Sequence, residues 1–117
     1  MAKKNSHLTD DQIEETRKSL EEKLKRKVYA FAFVVEGDEQ VVAYLRDPER
    51  LLKMRAMDMI MQSLTGSCEM LLKACIIEPE SSSRIMSGLP EDDQIFMSAL
   101  LEVQRVFKFY TDVLKKN

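Results

Sequence analysis

The stretch KVYAFAFVVEGDEQVVAYLRD, residues 27–47, limits the possible fold more than any other, because its side chains alternate with a period of two. Tyr29, Phe31, Phe33 and Val35 fall on one face of an extended chain, and Val28, Ala30, Ala32 and Val34 on the other. Large side chains line one side and small ones the opposite side. Glu36-Gly37-Asp38-Glu39 interrupts the alternation as a hairpin turn does, and Val41 to Arg46 reads as the returning strand. Two strands alone are marginal in water. A helix must therefore cover the aromatic face, or another subunit must extend the sheet.

Helix signals flank the hairpin. In LTDDQ, residues 8–12, Thr9 can cap a helix, Gln12 can reach back to it, and Leu8 can staple onto Ile13, so a helix is expected from about Asp10. Ile13, Thr16, Leu20 and Leu24 form its narrow apolar stripe, and Glu14–Lys18, Glu21–Lys25 and Glu22–Arg26 are its expected ion pairs. Beyond the hairpin, Asp47 as cap and Pro48 at the first helical position predict a helix to about Leu64, ended by Gly66. Projected on that helix, Met54, Met57 and Met61 share a face with Leu64 and are expected in the core. Met59 lies near Leu52 on the opposite side, across a polar stripe of Arg55, Asp58 and Gln62.

Cys68, Leu71, Leu72, Cys75 and Ile76 give a second helix over residues 68–77, closed by Pro79. Residues 78–90 read as a loop, with Ser81, Ser82 and Ser83 as a solvated linker. Pro90 with Glu91, Asp92 and Asp93 opens a last helix, and Lys115 and Lys116 suit its far end. Phe96, Ala99, Leu100, Val103, Phe107, Tyr110 and Leu114 form one stripe on it; Ile95, Val106, Phe109 and Val113 form a second beside the first. So wide an apolar arc means either that this helix is central to the fold or that part of it meets another subunit. The expected architecture is α+β in one domain: an N-terminal helix, a two-stranded antiparallel hairpin, then three packed helices, with residues 1–8 as a disordered tail.

Composition narrows the chemistry. A formal charge of −2 over 117 residues, with both signs interspersed, offers no basic stripe for nucleic acid. No apolar run approaches membrane-spanning length, and the polar N-terminus lacks a secretory h-region, so a cytoplasmic protein is expected. Cys68 and Cys75, seven apart on a helix, are separated by roughly 10 Å of helix axis, too far for a disulfide, and are expected as buried thiols. His7 is the one histidine and sits in the tail, so neither zinc ligation nor an activated Ser or Cys is expected. Gly37, Gly66 and Gly88 are isolated and make no phosphate loop, while Asp58 reads as part of a polar stripe, not a catalytic acid. The expectation is a non-enzyme without metal, cofactor or small-molecule substrate.

Three segments taken together resemble the small tail assembly chaperones of long-tailed bacteriophages and prophages. LTDDQIEETRKSL followed by KVYAFAFVVEGDEQVVAYLRDPER is similar to that family's opening helix, its hairpin and its Arg-x-Pro turn, here Arg46 and Pro48. LLKACIIEPE, residues 71–80, is similar to its Leu-Leu-x-x-Cys ending, and LPEDD, residues 89–93, to the start of its closing helix. Glu49 departs from the family, where a small hydroxyl residue often follows the proline. The resemblance implies a factor in the host bacterial cytoplasm, working as a homo-oligomer, that shields tape measure protein or tail-tube subunits before they polymerise. Leu52, Met59, Val106, Phe109 and Val113 are the residues expected to meet that partner. A structural tail component that oligomerises through the hairpin edge, and a small regulatory protein-binding module, are the competing expectations.

Overall fold

The computed structural model describes residues 7–107 and has the expected α+β order. Helix α1 (Asp10–Leu24) precedes strands β1 (Val28–Val35) and β2 (Glu39–Arg46), and helices α2 (Arg50–Ile60), α3 (Leu64–Cys75) and α4 (Asp93–Val106) follow. Helix α1 begins as its sequence dictates: Thr9 Oγ1 accepts the Gln12 N–H while Gln12 Oε1 accepts the Thr9 N–H, a closed capping box. Its charges pair differently from the expectation. Arg17 sits between Glu14 and Glu21, at 2.6 and 2.7 Å, because Lys25 has turned left-handed to end the helix and Arg26 donates to the Asp47 carbonyl. Two residues of the expected tail are instead held against the hairpin: Leu8 and Gln40 exchange two hydrogen bonds, and His7 Nε2 lies 2.6 Å from the Asp38 carbonyl. Residues 1–6 lie outside the described residues.

The strands pair antiparallel from Val28↔Arg46 to Val35↔Glu39, around a turn in which Gly37 and Asp38 take positive φ. Both faces of the pair are covered. On the large-residue face Phe31, Val41, Ala43 and Leu45 join a core built with α2, α3 and α4. On the small-residue face Val28, Val42 and Tyr44 pack against Ile13 and Leu20 of α1. Val41 to Leu45 are consequently five buried residues in a row. An alternating strand does not require this; a second layer does.

Residues 76–82 complete β2 from outside. Ile76 makes a bridge to Leu45, the Ile77 N–H donates to the Tyr44 carbonyl at 2.9 Å, and the Ser82 N–H donates to the Val42 carbonyl at 2.8 Å. Two serine side chains then take the remaining donors: Ser81 Oγ accepts the Tyr44 N–H at 2.9 Å and Ser82 Oγ accepts the Val42 N–H at 3.0 Å. The serines expected to be a solvated linker are thus a hydroxyl substitute for a third strand. Only Ser83 of the three is exposed, and it opens a single 3-10 turn, Ser83–Met86.

The boundaries of α2, α3 and α4 differ from the sequence expectation. Helix α2 has Glu49, not Asp47, at its N-cap position, without a side-chain capping hydrogen bond, and Pro48 is buried before it. It stops at Ile60, and α3 starts at Leu64 behind Ser63, whose Oγ accepts the Gly66 N–H at 2.9 Å. Gly66 therefore lies inside the first turn of α3 instead of ending α2. A Cβ there would meet Ser63 Oγ at 3.0 Å, so any larger residue would press on the capping hydroxyl. Helix α4 begins at Asp93, after a 3-10 turn over Pro90–Asp92.

Ser81→Ala should destabilise the protein by about 1–3 kcal/mol, because the buried Tyr44 N–H loses its acceptor. Ser83→Ala should fall within about 0.5 kcal/mol of the parent. Urea unfolding of the two variants measures both, and equal midpoints would refute the strand-substitute role.

Candidate partner-binding surface

Helix α2 is rotated relative to the expectation. Its buried residues are Ala56 and Ile60, and the closeness of α2 to α3 is fixed by two small side chains, Ala56 and Ser67, both without solvent exposure. Ser67 Oγ donates to the Ala56 carbonyl at 2.8 Å. Small residues at a helix crossing let the backbones approach, and that approach decides which way the larger ones point. The three methionines expected in the core are turned outward: Met54 is 54 % exposed, Met57 40 % and Met61 71 %, with Leu51 beside them at 63 %. Recurring at 51, 54, 57 and 61, they sweep about a third of the helix circumference. Met97 and Leu101, one turn apart on α4, are a second exposed apolar pair.

The residues expected to meet a partner fare otherwise. Leu52 and Val106 are half-buried and pack against the main core. Met59 is half-buried too, its Sδ 3.5 Å from where a side chain at Gly66 would begin, so it covers the start of α3. Phe109 and Val113 lie outside the described residues, as do Tyr110 and Leu114. The two stripes expected on α4 merge. Ile95 is buried together with Ala99, Leu100, Val103 and Phe107, and the Phe107 ring meets Tyr29 edge-on at 5.1 Å. The described part of α4 is thus central to the fold, and its unpartnered apolar surface is confined to Met97 and Leu101.

A cleft of about 310 Å³ opens between α3 and the start of α4, with Ile85, Met86, Leu89 and Phe96 inside and Glu69, Lys73, Asp92 and Asp93 about it. Its most buried charge is already engaged. Asp92 accepts from Ser87 Oγ at 2.5 Å and from Arg84 at 2.7 and 2.8 Å, and Arg84 also pairs with Glu39 at the hairpin turn. The Ser87 hydrogen bond, then Arg84, hold the Asp92 carboxyl below its ordinary range. That is the setting of a structural anion, opposite to the raised pKa a general acid needs. It ties the 84–92 segment to the turn between the strands.

Cys68 and Cys75 are both buried, and burial pushes the Cys75 thiol up to about 11. A thiol so held is a poor nucleophile near neutral pH. Among the described residues no group of three or more His, Cys, Asp or Glu could hold a metal ion, and no helix is long and apolar enough to cross a membrane. Compared with family models, with curated proteins and with solved structures, the chain matches none.

Two measurements follow from this site. Asp92 is depressed in the folded state, so its contribution is complete above the ordinary carboxylate pKa of about 3.9 and fades as pH falls through the lower folded value. Asp92→Asn should therefore lower the urea midpoint at pH 7, with the gap to the parent closing on acidification. A gap that stays constant down to pH ~3 would contradict the assignment. Both cysteines should react with a thiol reagent only as fast as the chain unfolds, and fast labelling of the native protein would show that the thiols are accessible.

Proposed function

We propose that this protein is a non-catalytic chaperone of phage tail assembly, working in the bacterial cytoplasm and covering the apolar stripes of the helical tape measure protein or of tail-tube subunits before they assemble. The observation that carries the reading is the row Leu51, Met54, Met57 and Met61, standing in solvent on a helix that has its own separate core face. Large side chains of this kind cost solubility when left exposed, and a row of them marks an interaction surface. Methionine fits a client of variable sequence, because its unbranched, polarisable side chain repacks against many shapes. A helix laid along α2 would find apolar anchors at about its own spacing, which is the helix-in-groove mode of recognition. The order of helix, hairpin and helices agrees with the architecture that the resemblance implies.

The role requires release, so the protein acts in assembly and is absent from finished particles; its presence there at stoichiometric level would favour a structural tail component. Met54→Asp combined with Met61→Asp tests the surface. Both positions are exposed, so folding free energy should change by no more than about 1 kcal/mol. Co-expressed tape measure protein should lose its gain in solubility and cease to co-purify with the variant. Equal client recovery by parent and variant would remove this surface from the mechanism.

A further inference from the structure

We propose that β1 is a docking edge for a second copy of this chain, paired antiparallel about a two-fold axis at Ala32 to give one four-stranded sheet. The proposal stands on backbone geometry and does not depend on the client reading.

The direction of each backbone group along the hairpin is fixed by its partners. The N–H and C=O of Val42 and Tyr44 are used by Ile77, Ser81 and Ser82, so they point away from β1. Ala32 and Ala30 stand opposite these two residues and therefore point their own N–H and C=O away from β2. Val28, two residues earlier, points the same way and is capped: Glu21 accepts its N–H and Arg17 donates to its carbonyl, each at 3.0 Å. Val34 continues the series. At positions 30, 32 and 34 the described residues supply no backbone partner, whereas Val28, Val42 and Tyr44 are all satisfied. A row of open donors and acceptors is what an incoming strand pairs with.

The occupant follows from register and charge. Three open positions centred on Ala32 are all used in one antiparallel alignment, Ala32↔Ala32 with Ala30↔Val34 on either side, and sliding by a pair wastes one or collides with the cap at Val28. This alignment sets Phe31 across from the partner copy's Phe33, a favourable cross-strand aromatic pair on the large-residue face. Small side chains at 30 and 32 leave room where the axis passes. Val34, at the end of this edge, is a large apolar side chain left 55 % exposed. The charges agree as well, since β1 is preceded by Arg26 and Lys27 and followed by Glu36 and Asp38. Antiparallel pairing brings bases beside acids at both ends, whereas parallel pairing would set like beside like.

Sedimentation equilibrium of the full chain should show a reversible dimer. Ala32→Pro removes an N–H that β2 does not use and should weaken association at least tenfold, with the far-UV spectrum kept. Lys27→Glu should weaken it, and adding Glu36→Lys should restore it. Ala32→Cys should be joined to itself by a short thiol cross-linker, whereas Ala30→Cys should need Val34→Cys in the mixture; this pattern decides the matter if Ala32→Pro does not fold. A monomer up to the solubility limit, or a dimer in which neither the proline nor the cross-linking pattern behaves so, would overturn the proposal.

Discussion

The structure depends on burying a two-stranded hairpin on both faces. Two strands bring too little area to stand in water, and here five consecutive β2 residues, Val41 to Leu45, are buried because α1 lies on one side and the α2, α3 and α4 layer on the other. Burying a strand so completely raises the question of its backbone groups, since an unpaired N–H away from water costs about 1–3 kcal/mol. The chain meets it with residues 76–82. Ile77 and Ser82 contribute backbone bonds and Ser81 and Ser82 contribute hydroxyls, so a segment without strand conformation closes the edge. Polar loop composition is here a requirement of the core.

With the hairpin closed on the β2 side, the remaining elements are positioned by small contacts. Ala56 and Ser67 bring α2 against α3, and the Ser63 cap with Gly66 turns the chain between them. Arg84 links Asp92 to Glu39, fastening the segment before α4 to the turn of the hairpin. These groups are not themselves the exposed row that the proposed function uses. They determine it nonetheless, because seating Ala56 inward leaves Leu51, Met54, Met57 and Met61 outward. The main core is correspondingly complete without them, resting on Phe31, Leu45, Leu71, Leu72, Ile95, Val103 and Phe107.

Two surfaces of different character result. The α2 row is apolar side chain, adaptable and without direction, and suits a client recognised by hydrophobicity alone. The β1 edge is backbone, directional and register-bound, and suits a partner of fixed sequence such as the chain itself. They lie on different elements, so occupation of the edge does not by itself consume the row.

The sequence by itself determined the local structure: the hairpin from its alternation, the start of α1 from the Thr9 capping box, the buried thiols from their place on the apolar face of α3. These are decided over a few residues by sterics and hydrogen bonds that tertiary contacts did not override. Only the tertiary structure decided which side of α2 is inside. Summed hydrophobicity favours the methionine side, yet close approach of two helices is governed by the smallest side chains at the crossing, and Ala56 carries little weight in any such sum. The role of Ser81 and Ser82 was hidden for the same reason. A serine is polar wherever it stands in a sequence, and whether it faces water or an open strand edge depends on where the fold places that edge.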